Sequence, residues 1–234
     1  MKDEFLSNIN AAFLNKIKDN LKKCNAFSFS VSFIKKAGLV LLEREIEEAL
    51  ERGVKGRIIT STYQNFTDIG SLEQFYAWQK KYDNFECHLD YECFGDNGFH
   101  TKGYLFEYDD SIEFIVGSSN ITRFALLKNF EWNVSLVSKD NLNSYNDALI
   151  EFELIWDKTL ELDSKIIEKY RLQLDYAIEK WDMDYIEDIN NTIKPNYMQR
   201  KALKELRRYR DMYVNKALIV SATEFFEPTP HWHS

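Results

Sequence analysis

A histidine, a lysine, a serine, an asparagine and a glutamate that together could work on a phosphodiester fall within one stretch, Phe99 to Asn133. His100 stands two residues before Lys102. Asn120 closes the turn Gly117-Ser118-Ser119-Asn120 eighteen residues after that lysine, and Glu131 follows eleven residues later. An imidazole, with a pKa near neutrality, can attack phosphorus or protonate a leaving oxygen. An ammonium and a carboxamide can hold the non-bridging oxygens as negative charge grows on them. A carboxylate beside the imidazole fixes its tautomer and supports the imidazolium. None of these steps requires a metal ion or a cofactor. A lone H-x-K is more ordinarily a structural histidine and a surface lysine on a half-buried sheet. The ordered turn and the Asn-Phe-Glu-Trp run behind it move the balance toward chemistry.

Three strands must position these groups. Phe99 to Phe106 is expected to be extended, with His100 and Lys102 on one face and Tyr104 and Phe106 following them. Ser111 to Val116 is a second apolar run, ended by a turn of small, backbone-bonding residues. Phe130 to Val137 is a third, whose alternation predicts Phe130, Trp132, Val134 and Leu136 inward and Glu131 and Asn133 on the other face. If the three are neighbours, the functional groups converge at one end of a sheet.

The stretch resembles the phospholipase D superfamily, whose motif is H-x-K, four residues, D, then G-S near an N. His100 and Lys102 match, and Gly117, Ser118 and Asn120 match the form seen in nuclease-like members. The motif aspartate falls at Glu107, a departure. The resemblance covers roughly residues 1–160 and is most specific at its centre. It implies a mixed β-sheet flanked by helices, with His100, Lys102, Asn120 and Glu131 as catalytic residues and Ser118, Lys102 and Asn120 on the phosphate. Glu131 would be the carboxylate that assists the histidine. Bilobal members carry two motifs and this chain one, so the resemblance implies a homodimer with one composite site.

The remainder of the chain bounds this reading. A length of 234 residues fits one large domain or a domain with an appendage, and 44% hydrophobic residues can build a core. No apolar run approaches the ~20 residues of a membrane span, and Met1-Lys2-Asp3-Glu4 does not open like a signal peptide. Cys24, Cys87 and Cys93 lack C-x-x-C spacing and fit reduced thiols, hence a cytoplasmic expectation. Cys87-His88 is expected to be strand packing, with no second pair at metal spacing. The net charge of −8 is uneven: residues 151–192 carry twelve acidic and five basic side chains, residues 194–210 seven basic and one acidic. Bulk charge therefore leaves binding and catalytic classes both open.

Residues 4–24 have apolar positions spaced as in an amphipathic helix, and Ala26 to Ile34 alternates as a strand. A helix over 39–51, a strand over 56–60, a helix over 71–82 and a strand over 85–91 follow, an alternation that predicts an α/β sheet between helices. The Thr60-Ser61-Thr62-Tyr63 run either caps the sheet or contacts a phosphate. Asn143 to Leu160 and Leu162 to Ile193 are expected to be helical. We therefore expect a catalytic domain over 1–161, a helical extension over 162–223 and a separate tail over 224–234. Pro195 followed four residues later by Gln199 resembles the adenine-reading Q motif of superfamily 2 helicases, and Ala217 to Thr223 the strand before their phosphate loop. Glu224-Phe225-Phe226 stands where the loop's glycines and lysine would be. The resemblance implies a helicase-type ATPase domain truncated at its first motif, with Gln199 a remnant nucleotide contact.

The expected activity is a metal-independent nuclease acting through a phosphohistidine on nucleic acid, DNA foremost, in a restriction or repair setting. The alternatives are a non-catalytic DNA-binding module that targets a helicase and a lipid phosphodiesterase.

Overall fold

The computed structural model describes residues 2–8, 11–91, 99–139, 143–183 and 197–211. One compact unit runs from Met1 to Arg171 and a second from Leu172 to Ser234.

The first unit is built on an eight-stranded mixed sheet in the order β1-β7-β6-β5-β2-β3-β4-β8. Its strands are β1 (Lys2–Ser7), β2 (Ala26–Val31), β3 (Lys55–Ser61), β4 (Phe85–Asp90), β5 (Lys102–Glu107), β6 (Ile112–Gly117), β7 (Trp132–Ser138) and β8 (Leu160–Glu161). β2, β3 and β4 are parallel, because each is joined to the next through helices: α2 (Lys36–Leu39) with α3 (Glu43–Glu51), then α4 (Ile69–Lys81). The β5, β6 and β7 run is antiparallel, as short connections allow.

Alternation divides the core between the two faces. Phe27 and Phe29 of β2 and Tyr104 and Phe106 of β5 meet Phe13 of α1 (Ala12–Leu21) on one face, with ring centroids 4.9–5.5 Å apart. Leu105, one residue out of phase, points to the other face, where Tyr145 and Leu149 of α6 (Asn143–Trp156) cover it. Phe152 of α6 packs on Ile59 and Phe99 farther along.

Five expectations need correction. Lys2–Ser7 is a strand, not the start of a helix: it pairs with β7 along its whole length, and that pairing outweighs a four-residue apolar spacing that only Phe5 carries there. The strand around Lys102 begins at Lys102 and runs to Glu107, with His100 just ahead of it. The helix expected over 39–51 is two pieces, and the one expected over 143–160 ends at Trp156, before β8 pairs with β4. The faces of β7 are inverted: Glu131, Asn133 and Ser135 are buried, whereas Phe130 is 98%, Trp132 70% and Val134 39% exposed. Asn133 and Ser135 find partners inside, in Ser119 and in Glu113, which is itself paired with Lys16 of α1 at 3.1 Å. Polar groups that are hydrogen-bonded can be buried at little cost, and α6 covers the apolar side of β7 only near Leu136, leaving Trp132 and Val134 exposed.

α7 (Ser164–Met183) spans the division between the units. Its first turns belong to the sheet domain, where Ile167 and Tyr170 are buried and the Tyr170 hydroxyl donates to Thr67 O at 2.8 Å. The second unit contains α8 (Tyr197–Asp211), which carries Gln199. The expected tail 224–234, residues 92–98 and Cys93 lie outside the described residues.

Candidate active site

The site forms where β2 ends and β5 begins, and the turn after β6 closes it. β5 is held between β2 and β6, so Lys102, opposite Val31, is fixed in a wall of apolar residues and is 8% exposed. Its ammonium lies 3.1 Å from His100 Nδ1 and 3.2 Å from Nε2, and 3.3 Å from the His100 carbonyl. Ser32 Oγ accepts from it at 3.5 Å. His100 is exposed, with Phe33 edge-on to its ring at 5.1 Å and the Lys102 ammonium 5.5 Å above the Phe33 ring. An ammonium can only donate, so this geometry suits a neutral imidazole. Partial burial, and then the Lys102 charge, hold the His100 pKa below its ordinary value. Both causes disfavour the imidazolium and leave one ring nitrogen with a free lone pair at neutral pH.

The turn is shaped by its first residue. A Cβ on Gly117 would lie 2.6 Å from Asn133 Cα and closer still to the Trp132 carbonyl, so only glycine lets β7 approach. Ser118 N–H donates to Trp132 O at 3.1 Å, Asn133 Nδ2 to Ser119 Oγ at 2.8 Å, and Tyr104 OH to Ser119 O at 2.8 Å. Asn120 is fully buried and its Oδ1 accepts the Phe33 N–H at 3.2 Å, which fixes the carboxamide with its NH2 as the donating end. One residue on, Ile121 bridges to Ile34 beyond β2, just ahead of the short helix α5 (Arg123–Leu127). Phe33 is thus the common neighbour of His100, Lys102 and Asn120.

Glu131 is 4% exposed and accepts from Ser118 Oγ and from Asn129 Nδ2, the latter at 3.4 Å. The one proton of the Ser118 hydroxyl is directed at Glu131, while its oxygen accepts from Trp132 N–H at 3.1 Å. In this structure the Ser118–Glu131 pair supports the turn, and the His100 ring faces Lys102 and Phe33. Glu107 lies at the opposite end of β5, opposite Ala26 and Ile112, and accepts from Tyr145 OH at 3.2 Å. The motif-aspartate position is therefore remote from His100.

Thr60, Ser61 and Thr62 are buried and bonded internally: Thr60 to Ser32 O, Ser61 to the Asp90 carboxylate, Thr62 to Asp90 O. They cap the sheet. Cys87 is buried, and His88 stacks on Trp156 at 3.7 Å, so that pair is strand packing. Among the described residues no cluster of His, Cys, Asp or Glu could hold a metal ion. Sequence reasoning passed over Phe33 and Ser32, whose role shows only once β2 is seen beside β5. The signal available was the apolar strand Ala26–Ile34 ending in polar residues.

Residues 27–156 match the family described as cardiolipin synthase, phospholipase D-like domain. This chain belongs to that phospholipase D-like family. The fold agrees with solved structures of the superfamily. Nuc from Salmonella typhimurium superposes with a TM-score of 0.53 at 17% identity, over 70% of this chain and 99% of that one. NucT from Helicobacter pylori gives 0.52 at 17%, over 68% and 98%. A phosphatidylserine synthase from Haemophilus influenzae gives 0.50 at 16%, over 91% and 46%. No curated protein matches the chain. Among the described residues, no helix is long and apolar enough to cross a membrane.

Proposed function

We propose that the chain is a phosphodiesterase of the nuclease-like phospholipase D branch, cleaving nucleic acid through a phosphohistidine without a metal ion. The observation that carries this is the Lys102 ammonium within 3.2 Å of both ring nitrogens of His100, at the end of the sheet that also holds the Asn120 turn. A His100 nitrogen attacks phosphorus; the N–P bond forms as the P–O bond to the leaving group breaks, and a second imidazole gives its proton to the leaving oxygen. Water then cleaves the N–P bond, and that second imidazole, now neutral, takes the water's proton. Lys102 and the Asn120 amide hold the non-bridging oxygens. Glu131 supports the histidine side of the site, and Ser118 positions the turn.

The second imidazole comes from a second copy, because this chain has one H-x-K. A bare apolar face supports the homodimer. Phe5, Val134 and Val116 lie in one row across β1, β7 and β6, on the face that α6 covers only farther along. They are 62%, 39% and 42% exposed, and Trp132 beside them, 5.9 Å from Phe5, borders Ser118. Ile150 and Leu154 form an exposed apolar strip on α6. Two copies that exchange these faces would cover both.

The experiment is cleavage of single-stranded DNA and of a nitrophenyl phosphodiester in excess EDTA. Turnover is expected to persist, to vanish in His100→Ala, and to fall about a hundredfold or more in Lys102→Ala. Cleavage that EDTA stops, or full activity in His100→Ala, would overturn the mechanism. A lipid phosphodiester is the second reading, favoured by the family's description; preferential turnover of anionic phospholipid vesicles over DNA would select it. The resemblance of 195–223 to a helicase start, with Gln199 on α8, favours nucleic acid and fits a role beside an ATPase domain.

A further inference from the structure

Lys35 stands beside this site without a hydrogen bond or ion pair to its ammonium among the described residues. The chain leaving β2 makes a parallel bridge at Ile34, and the Lys35 backbone is extended (φ −112°, ψ 139°) with its N–H on Ile121 O at 2.9 Å. Residues on either side of a bridged residue point the same way, so Lys35 shares its side with Phe33. Phe33 faces His100 and Lys102 and gives its N–H to Asn120. Lys35 is therefore placed along the same wall, next to the end of the Gly117–Asn120 turn.

Its neighbour shows the contrast. The Lys36 ammonium is bonded to Gln74 at 2.8 Å and Glu43 at 3.4 Å. The Lys35 ammonium has neither a hydrogen bond nor an ion pair among the described residues. The one carboxylate whose charge it feels is Asp68, already bonded to Lys36 N, Ser71 N and Ser71 Oγ. Lys35 is also half-buried, and burial pulls its pKa down. A cation kept partly out of water is costly when its one nearby carboxylate is already bonded elsewhere. A bound anion would offset that cost with charge-assisted hydrogen bonds.

We propose that Lys35 holds a second phosphate of a polymeric substrate, the one neighbouring the phosphate that His100 attacks. This rests on the nuclease reading given above. Lys102 already serves the reacting phosphate, packed against His100. Lys35, two residues past Phe33 along the wall, is set to meet the next phosphate of a strand rather than the same one. Such a contact binds the chain without entering the chemistry, so it acts on substrate binding more than on turnover.

The test compares wild type, Lys35→Met and Lys35→Arg. Fluorescence anisotropy with a labelled single-stranded oligonucleotide is measured across a salt series, together with steady-state cleavage of the oligonucleotide and of a nitrophenyl diester. Lys35→Met is expected to weaken oligonucleotide binding and raise KM about tenfold with kcat little changed, and to lower the salt slope by about one phosphate contact. Lys35→Arg should recover most of the loss. The nitrophenyl diester, with one phosphate, should lose much less. An unchanged salt slope in Lys35→Met overturns the proposal, as does an equal loss on both substrates. Wild type that binds the oligonucleotide with the Lys35-dependent slope but cleaves neither substrate would remove the nuclease reading and leave the phosphate contact standing. Wild type that does not bind the oligonucleotide would remove both.

Discussion

At the scale of single residues, the proposed chemistry turns on the charge of one imidazole. His100 is expected to titrate below 6.5, because burial first and Lys102 second disfavour its protonated form. Its ring resonance, followed by NMR across pH, should show this midpoint, and Lys102→Met should move it only part of the way back, since the larger cause remains. A normal midpoint in the wild type would mean that the ring is not held as drawn. The sign for stability follows. As pH falls through 6.5, the unfolded chain takes up this proton before the folded one, so the histidine's contribution works against folding below that value and disappears above it. Glu131→Gln keeps the shape of a side chain that accepts from Ser118 and Asn129 but removes its charge. Turnover should fall about tenfold or more while the thermal midpoint moves by only a few degrees; unchanged turnover would confine Glu131 to holding the turn. The candidate residues of this layer could be picked out in the sequence, since H-x-K and G-S-S-N are local patterns. What was not legible is which partner each group chooses. The Ser118–Glu131 bond and the Asn120–Phe33 bond join residues far apart in the chain.

At the scale of elements, the site depends on how closely β7 approaches the turn after β6. Gly117→Ala would press a methyl against backbone atoms of Trp132 and Asn133, which cannot move aside as a side chain could. It is expected to destabilise the protein by about 3 kcal/mol or more and to lose activity with the displaced Asn120. Gly103→Ala, in the same motif, meets only the edge of the Phe114 ring at 3.5 Å and should fold with its midpoint within a few degrees of wild type. Chemical denaturation of the two variants side by side checks both statements. The strand order needed for this argument could be anticipated only as an α/β sheet between helices. β1 escaped because an edge strand takes its register from β7, about 130 residues away, and nothing within Lys2–Ser7 announces that pairing. The inverted faces of β7 have a different cause. Alternation tells which residues share a face, whereas the identity of the buried face depends on what covers it. Here α1 covers the polar side and supplies Lys16 to Glu113, and the apolar side of the same strand is left open at Trp132 and Val134.

At the scale of the whole molecule, that open side and the single H-x-K both support the proposed homodimer. A C2 dimer buries the same patch on both copies, and a patch bordering Ser118 would bring two His100 side chains toward one phosphate. Trp132 is 70% exposed, so Trp132→Glu should leave the sheet domain folded, yet it would place a charge in a contact that must exclude water. Equilibrium sedimentation at micromolar concentration is expected to show a dimer for the wild type and a monomer for Trp132→Glu, with cleavage lost in the monomer. Mixing separates a composite site from two independent ones. If each site needs both histidines, subunits of wild type and His100→Ala exchanged at equal amounts leave about one quarter of the dimers competent, since only wild-type pairs work. Activity per total protein should then fall to about a quarter of that of the wild type, and to about a half if every wild-type chain acts alone. A half-value after verified exchange, or a wild type that sediments only as a monomer while cleaving DNA, would assign both proton transfer and attack to groups within one chain. The search for the acid would then turn to the donors around Phe33.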